Sequence, residues 1–174
     1  MSDATHLDDK LSELRRAFDE SFAAPRATPG GDHLDVLSIR VGGGTFALRT
    51  ASLAGIAPRP RLLSLPGSVP GLLGLAGQKG AVVPVYGLAA LLGMRADERW
   101  RWLALRAGPV AFAFDELERF LRVPIDAVHP LAPGAGSREH VKEAIRTEGT
   151  LLPLVDLDSV MTHIERHALG RGES

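Results

Sequence analysis

Gly71-Leu72-Leu73-Gly74-Leu75-Ala76-Gly77-Gln78-Lys79-Gly80-Ala81-Val82-Val83-Pro84-Val85-Tyr86-Gly87-Leu88 reads as strand, tight turn, strand. Two apolar runs flank Gln78-Lys79-Gly80, where the polar side chains of the segment fall. Glycine takes positive φ without a Cβ clash, so Lys79-Gly80 predicts the turn tip. The lysine then stands on the outside of a hairpin whose flanks are buried. Pro84 has no N–H to give to a ladder, so its strand is an edge or bends there.

Working outward, Leu37-Ser38-Ile39-Arg40-Val41 alternates apolar and polar, Gly42-Gly43-Gly44 makes a turn, and Thr45-Phe46-Ala47-Leu48 returns. Pro58, Pro60, Pro66 and Pro70 then break up a loop that carries Arg59 and Arg61. On the far side of the central hairpin, Leu88-Ala89-Ala90-Leu91-Leu92-Gly93 predicts a short helical turn closed by glycine.

The second half repeats the first. Leu103-Ala104-Leu105-Arg106-Ala107-Gly108 matches Leu37 to Gly42, and Phe112-Ala113-Phe114 matches Phe46-Ala47-Leu48 at the same offset. Gly149-Thr150-Leu151-Leu152-Pro153-Leu154-Val155-Asp156-Leu157 matches Gly80 to Leu88, with glycine, proline and leucine in step. Two matches in the same order indicate duplication. The repeat also decides residues 139–148, whose propensity is helical. Val141, Ala144 and Ile145 align with Leu72, Leu75 and Ala76, so a strand is predicted there.

These short strands with Gly/Pro-rich turns predict a mainly β chain of two small five-stranded barrels, filled by aliphatic side chains. A helix over 7–24 precedes them, with Leu7, Leu11, Leu14 and Phe18 on one stripe. A Pro/Gly linker from Pro25 to Asp32 sets it apart. The stripe either docks on its own domain or serves a partner or a second copy, and the sequence leaves both open. A short C-terminal helix starts at Asp158 as N-cap, turns Val160 and Ile164 inward, and stops at Gly170. The organisation read is 1–33 for helix and linker, 34–169 for the duplicated domain, and 170–174 for a disordered tail.

Composition narrows the function. The net charge of -1 gives no electrostatic reason for a nucleic-acid partner. Without cysteine there is no disulfide, thiolate site or cysteine nucleophile. No apolar run approaches the roughly 20 residues of a membrane span, and Met1-Ser2-Asp3-Ala4-Thr5-His6 lacks the features of a secretory signal. A cytoplasmic protein is expected.

Candidates for chemistry are few. His163 and His167 stand at i and i+4, a spacing that suits a metal, but Ile164-Glu165-Arg166 between them is not the zinc-protease pattern. An exposed helix face is the expected reading. Gly42-Gly43-Gly44 runs into a strand and not into the helix a phosphate loop needs. Ser64, Ser68 and Ser159 lack a nucleophile-elbow setting. Asp115, Glu116 and Glu118 read as a solvated turn salted by Arg119 or Arg122. Trp100 and Trp102, two apart, would share one face of a strand, either covering the seam between lobes or forming a binding surface among Arg99, Arg101 and Arg106. No enzyme, cofactor or metal is expected. The residues marked for protein contact are Gln78, Lys79, Gly80, Pro84, Trp100 and Trp102.

The run Val69 to Leu88, with Leu91-Leu92-Gly93 after it, resembles the CheW-like domain of bacterial chemosensory systems, whose pattern is roughly P-x-x-V-x-G-h-h-N-x-R-G-x-h-h-P-h-h-D-L followed by L-G. Leu37 to Leu48 and Leu151 to Leu157 are also similar to that family, over about residues 34–165. The resemblance implies two SH3-like five-stranded barrels. It also implies a non-enzymatic adaptor that joins the chemoreceptor cytoplasmic tip to the regulatory domain of a CheA-type histidine kinase. In that family the arginine of the turn helps contact the receptor, and Lys79 holds its place. The family's Asn, Arg and Asp are replaced here by Gly77, Lys79 and Gly87. Lysine keeps the charge and loses the bidentate fork, so a chain that binds only one of the two partners is a second expectation. The alternative outside chemotaxis is a stand-alone β-barrel module that binds peptides or proteins.

Overall fold

The apolar runs on either side of Gly42-Gly43 form β1 (His33–Val41) and β2 (Gly44–Arg49), a hairpin closed by those two glycines at φ 55° and 84°. This computed structural model describes Arg16 and residues 32–66, 69–95, 99–106, 110–134 and 138–169. The chain divides into the units Met1–Asp32 and His33–Ser174, and the fold is that of the second unit. The amphipathic stripe predicted over 7–24, its linker and the tail 170–174 lie outside the described residues, Arg16 and Asp32 apart.

After a 3-10 turn at Thr50–Ser52 come β3 (Leu53–Pro58), β4 (Leu72–Gln78), β5 (Ala81–Gly87) and the short helix α1 (Leu88–Leu91). The second half supplies β6 (Trp102–Arg106), β7 (Ala111–Phe114), β8 (Glu116–Pro124), β9 (Val128–Pro130), β10 (Glu143–Thr147), β11 (Thr150–Val155) and α2 (Leu157–Leu169). The strand predicted against helical propensity is therefore present as β10. Its residue Ala144 pairs with His129 of β9, as the aligned Leu75 pairs with Leu63.

The strands form a six-stranded sheet ordered β8-β1-β2-β11-β10-β9 and a five-stranded sheet ordered β3-β6-β7-β5-β4. Matching the repeats (β1 with β6, β2 with β7, β3 with β8, β4 with β10, β5 with β11) makes the two orders the same. The matched strands, however, sit in opposite sheets. Each sheet takes two strands from one half and three or four from the other, so neither sheet is the product of a single repeat. The exchange is made by two antiparallel pairings, β1 with β8 and β3 with β6, and by two parallel ones, Val85 to Gly87 with Ala111 to Ala113, and Leu154-Val155 with Ala47-Leu48. Parallel neighbours cannot be joined by a tight turn and need a long connection, which the intervening strands provide.

The cores follow the pairing. Val36 and Ala47 pack with Val123, Ile145, Leu152 and Leu154, while Ala76, Val83 and Val85 pack with Trp100, Leu103, Ala111 and Ala113. Both of these clusters thus draw on the two halves. Of the acidic trio predicted to be solvated, Glu116 is exposed, while Asp115 and Glu118 are built into this joint. Asp115 Oδ2 accepts from the Gly42 amide at 2.6 Å, and Glu118 accepts from buried Ser38 Oγ at 2.8 Å and from Arg40 at 3.1 Å. Ser38, Arg40 and Gly42 lie on β1 and its turn, brought there by the β1–β8 pairing, where the sequence suggests Arg119 or Arg122.

Helix ends differ between copies. α1 closes as predicted on Gly93 at φ 65°, with Gly93 and Met94 amides donating to the Ala90 and Ala89 carbonyls, the αL ending that suits glycine. α2 is capped by Asp156, whose Oδ1 accepts from the Asp158 and Ser159 amides at 3.1 and 3.0 Å. The expected cap, Asp158, lies inside the first turn and pairs with Arg106. Gly87, the counterpart of Asp156, caps α1 with no side chain.

Because each core needs both halves, fragments spanning 1–95 and 96–174 should each lack a cooperative thermal transition alone and regain one on mixing. Circular dichroism melts check this, and a fragment melting cooperatively by itself would contradict it. Gly87→Asp should raise stability by about 0.5–1 kcal/mol through an added cap and a stiffer unfolded chain, since a Cβ there meets only Leu73 at 3.6 Å. Thermal or urea unfolding reads that gain.

Candidate protein-docking surface

The β4–β5 hairpin turns at Lys79 (φ 47°) and Gly80 (φ 81°), between the paired Gln78 and Ala81. Two central residues at positive φ make the tight turn whose twist suits a two-residue hairpin. The matching β10–β11 turn has Glu148 (φ 36°) and Gly149 (φ 83°) between Thr147 and Thr150. Each copy therefore places a charged, non-glycine residue in a left-handed conformation at an exposed tip. The signs are opposite, lysine in the first and glutamate in the second.

Pro84 explains how the tip stands clear. β5 is internal to its sheet, yet its pairing with β7 starts at Val85, one residue after Pro84. Pro153 likewise stands one residue before the first parallel pair of β11. The proline thus marks where the strand leaves its parallel neighbour, and Ala81 to Pro84 is an edge on that side, as its missing N–H requires.

Cross-strand partners share a face. Val82 opposes Gly77, Pro84 opposes Leu75, and Leu75 is bridged by Leu63. This face is apolar and open: Val82 and Leu63 are each 67% exposed. The opposite face carries Ala76, Val83 and Val85 into the core. Leu63 reaches this position because Gly74 (φ 148°) has no side chain, and a Cβ there would lie 2.7 Å from the Leu63 carbonyl oxygen. At Gly77 a Cβ would meet nothing within 4 Å, so packing does not demand glycine. In the second copy Leu151, the counterpart of Val82, is 53% exposed and opposes Arg146.

Of the residues marked in the sequence, Gln78, Lys79, Gly80 and Pro84 come together on this hairpin. Trp100 and Trp102 do not. Both are 6% exposed, and they do not share a face: Trp100 packs in one cluster with Leu103, while Trp102 precedes Leu103 on β6 and points the other way. Arg59 closes over the Trp100 ring at 4.3 Å. The pair is core and offers no open peptide-binding surface. Leu63 and Val82 were not singled out by sequence reasoning. Strand parity marks Val82, but Leu63 sits in a proline-broken loop with no period to read. Tyr86, buried on β5, has its phenol pushed up by that burial and stays neutral. His163 and His167 lie with ring centroids 4.4 Å apart on α2.

Lys79→Glu should leave stability within about 0.5 kcal/mol of wild type, because the twin turn already holds glutamate in that conformation. Lys79→Asn should add roughly 0.5–1 kcal/mol, since asparagine tolerates positive φ. Paired unfolding curves check both, and a large loss for Lys79→Glu would make the lysine structural.

Residues 35–165 match the family model of the CheW-like domain. The chain is 28% identical over 153 residues to the chemotaxis protein CheW of Rhizobium meliloti (strain 1021), a match covering 84% of this chain and 97% of that relative. In fold it is similar to the crystal structure of the scaffolding protein TtCheW from Thermoanaerobacter tengcongensis. That comparison has a TM-score of 0.62 at 11% identity, over 70% of this chain and 88% of the other. The duplicated strand frame, the glycine and proline positions and the family match agree: this chain belongs to the CheW-like domain family.

Proposed function

We propose that the chain is a cytoplasmic, non-enzymatic adaptor of a bacterial chemosensory pathway, joining the chemoreceptor cytoplasmic tip to the regulatory domain of a CheA-type histidine kinase. Family membership supports the reading, and one relative is a chemotaxis protein. The observation that carries it to a site is the open apolar face of Leu63 and Val82 beside the Lys79 tip. Exposed apolar side chains rimmed by charge mark protein contact. In this reading each sheet closes as an SH3-like barrel, and the 7–24 stripe serves a partner or a second copy. No helix among the described residues is long and apolar enough to cross a membrane.

A second form of the reading is an adaptor that has kept one partner. Gly77, Lys79 and Gly87 favour it, because the hairpin has lost two polar groups and the fork of an arginine. Pull-down and titration with a receptor-tip fragment and with a kinase regulatory domain separate the two. Wild type should bind at least one. Lys79→Glu should weaken receptor association about tenfold or more, the effect of reversing a contact charge, at unchanged melting temperature. Val82→Asp should weaken whichever partner covers the apolar face. Binding to neither partner would overturn the adaptor.

A further inference from the structure

The second copy carries a side-chain cluster that the first lacks. Arg138 and Val141 form an isolated bridge, and the turn between them presents Glu139 and His140 to α2. His140 is 1% exposed. Its Nδ1 lies 2.9 Å from Ser159 Oγ, and its Nε2 is buried without a hydrogen-bond partner. Beside it, His163 Nδ1 lies 3.1 Å from Glu139 Oε1, and the His140 and His163 rings meet edge to face at 5.1 Å. Donor atoms of Glu139, His140 and His163 all lie within 4.8 Å of one another.

The fold does not need this imidazole. In the repeat His140 corresponds to Gly71, which has no side chain. The backbone duty is the same in both: the Gly71 carbonyl accepts from the Gly87 amide, and the His140 carbonyl from the Asp156 amide, each at 2.8 Å. A buried polar atom left unpaired is destabilising. The cluster therefore keeps, at a cost, a group the duplicate does without.

We propose that Glu139, His140 and His163 bind one zinc-class divalent cation. Two imidazoles and a carboxylate suit that class. The ion takes the lone pair of His140 Nε2, while Nδ1–H donates to Ser159 Oγ, the outer hydrogen bond that fixes a ligating histidine. Donors about 2.0–2.1 Å from a tetrahedral ion stand roughly 3.3 Å apart, close to the present Glu139–His163 separation. Glu139 is exposed and His163 half-buried, so side-chain rotation closes the remaining distance. Water completes the shell, with the His167 ring one helical turn beyond His163. The bound ion ties the 138–141 turn to α2.

The full chain, stripped with a chelator, is titrated with zinc and, separately, with cobalt(II). One equivalent should bind, the melting temperature should rise with zinc, and cobalt should show the visible band of a tetrahedral site. Glu139→Gln and His163→Gln, both accessible and compatible with folding, should each weaken zinc at least tenfold, and His140→Gln more. His129→Gln, on exposed β9, should change nothing. No thermal shift with zinc, or equal affinity in wild type and His163→Gln, would overturn the site.

Discussion

The structure depends on two parallel strand pairings, β5 with β7 and β11 with β2. Each carries the backbone of one half into the sheet of the other, and buried amides and carbonyls must be paired. Without them each sheet would come apart, β8-β1-β2 from β11-β10-β9 and β3-β6-β7 from β5-β4, and a two-stranded piece such as β4–β5 is marginal in water. The rest follows from this exchange. Both cores mix the halves, Asp115 and Glu118 reach across to the β1 hairpin, and Pro84 and Pro153 stand at the first residue where the parallel neighbour is no longer available. The registers of the two junctions differ by two residues, which keeps the same side chains on the same faces.

On this shared frame the copies have diverged where the frame makes no demand. Gly87 and Asp156 start equivalent helices, one with a backbone cap alone and one with a side-chain cap. Gly71 and His140 make the same carbonyl contact, yet one has no side chain and the other a buried imidazole. Gly77 and Arg146 oppose the exposed Val82 and Leu151. None of these residues belongs to the two apolar clusters described above.

Positions where backbone geometry dictates the residue were legible in the sequence. The turn glycines, the two prolines and the repeat offset gave the hairpins, and the repeat gave β10 against its helical propensity. The strand exchange was not legible, because period-2 patterning says which face is buried and nothing about which strand lies alongside. The tryptophans misled for a related reason. Trp100 precedes β6, so the two-residue spacing did not fix a common face. Asp156 lies two residues before Asp158, which was read as the cap, and His140 lies inside a stretch read as strand, far along the chain from Ser159 and His163, which it meets only in the fold.

The two turn tips give the final step. A side chain held at positive φ costs of order 1–3 kcal/mol unless it is glycine or asparagine-like, and glycine would serve either turn. Lys79 and Glu148 are nonetheless both there, exposed, and neither is required by packing. The twin turn shows that the conformation accepts either sign, so the fold does not choose the charge. What distinguishes the tips is their neighbours: Lys79 borders an apolar face opposed by glycine, and Glu148 one opposed by arginine. In the adaptor reading proposed above, a strained charge beside an open apolar face is where a partner would dock on the first tip. The same reasoning applied to His140, buried and half-partnered, leads inward to an ion.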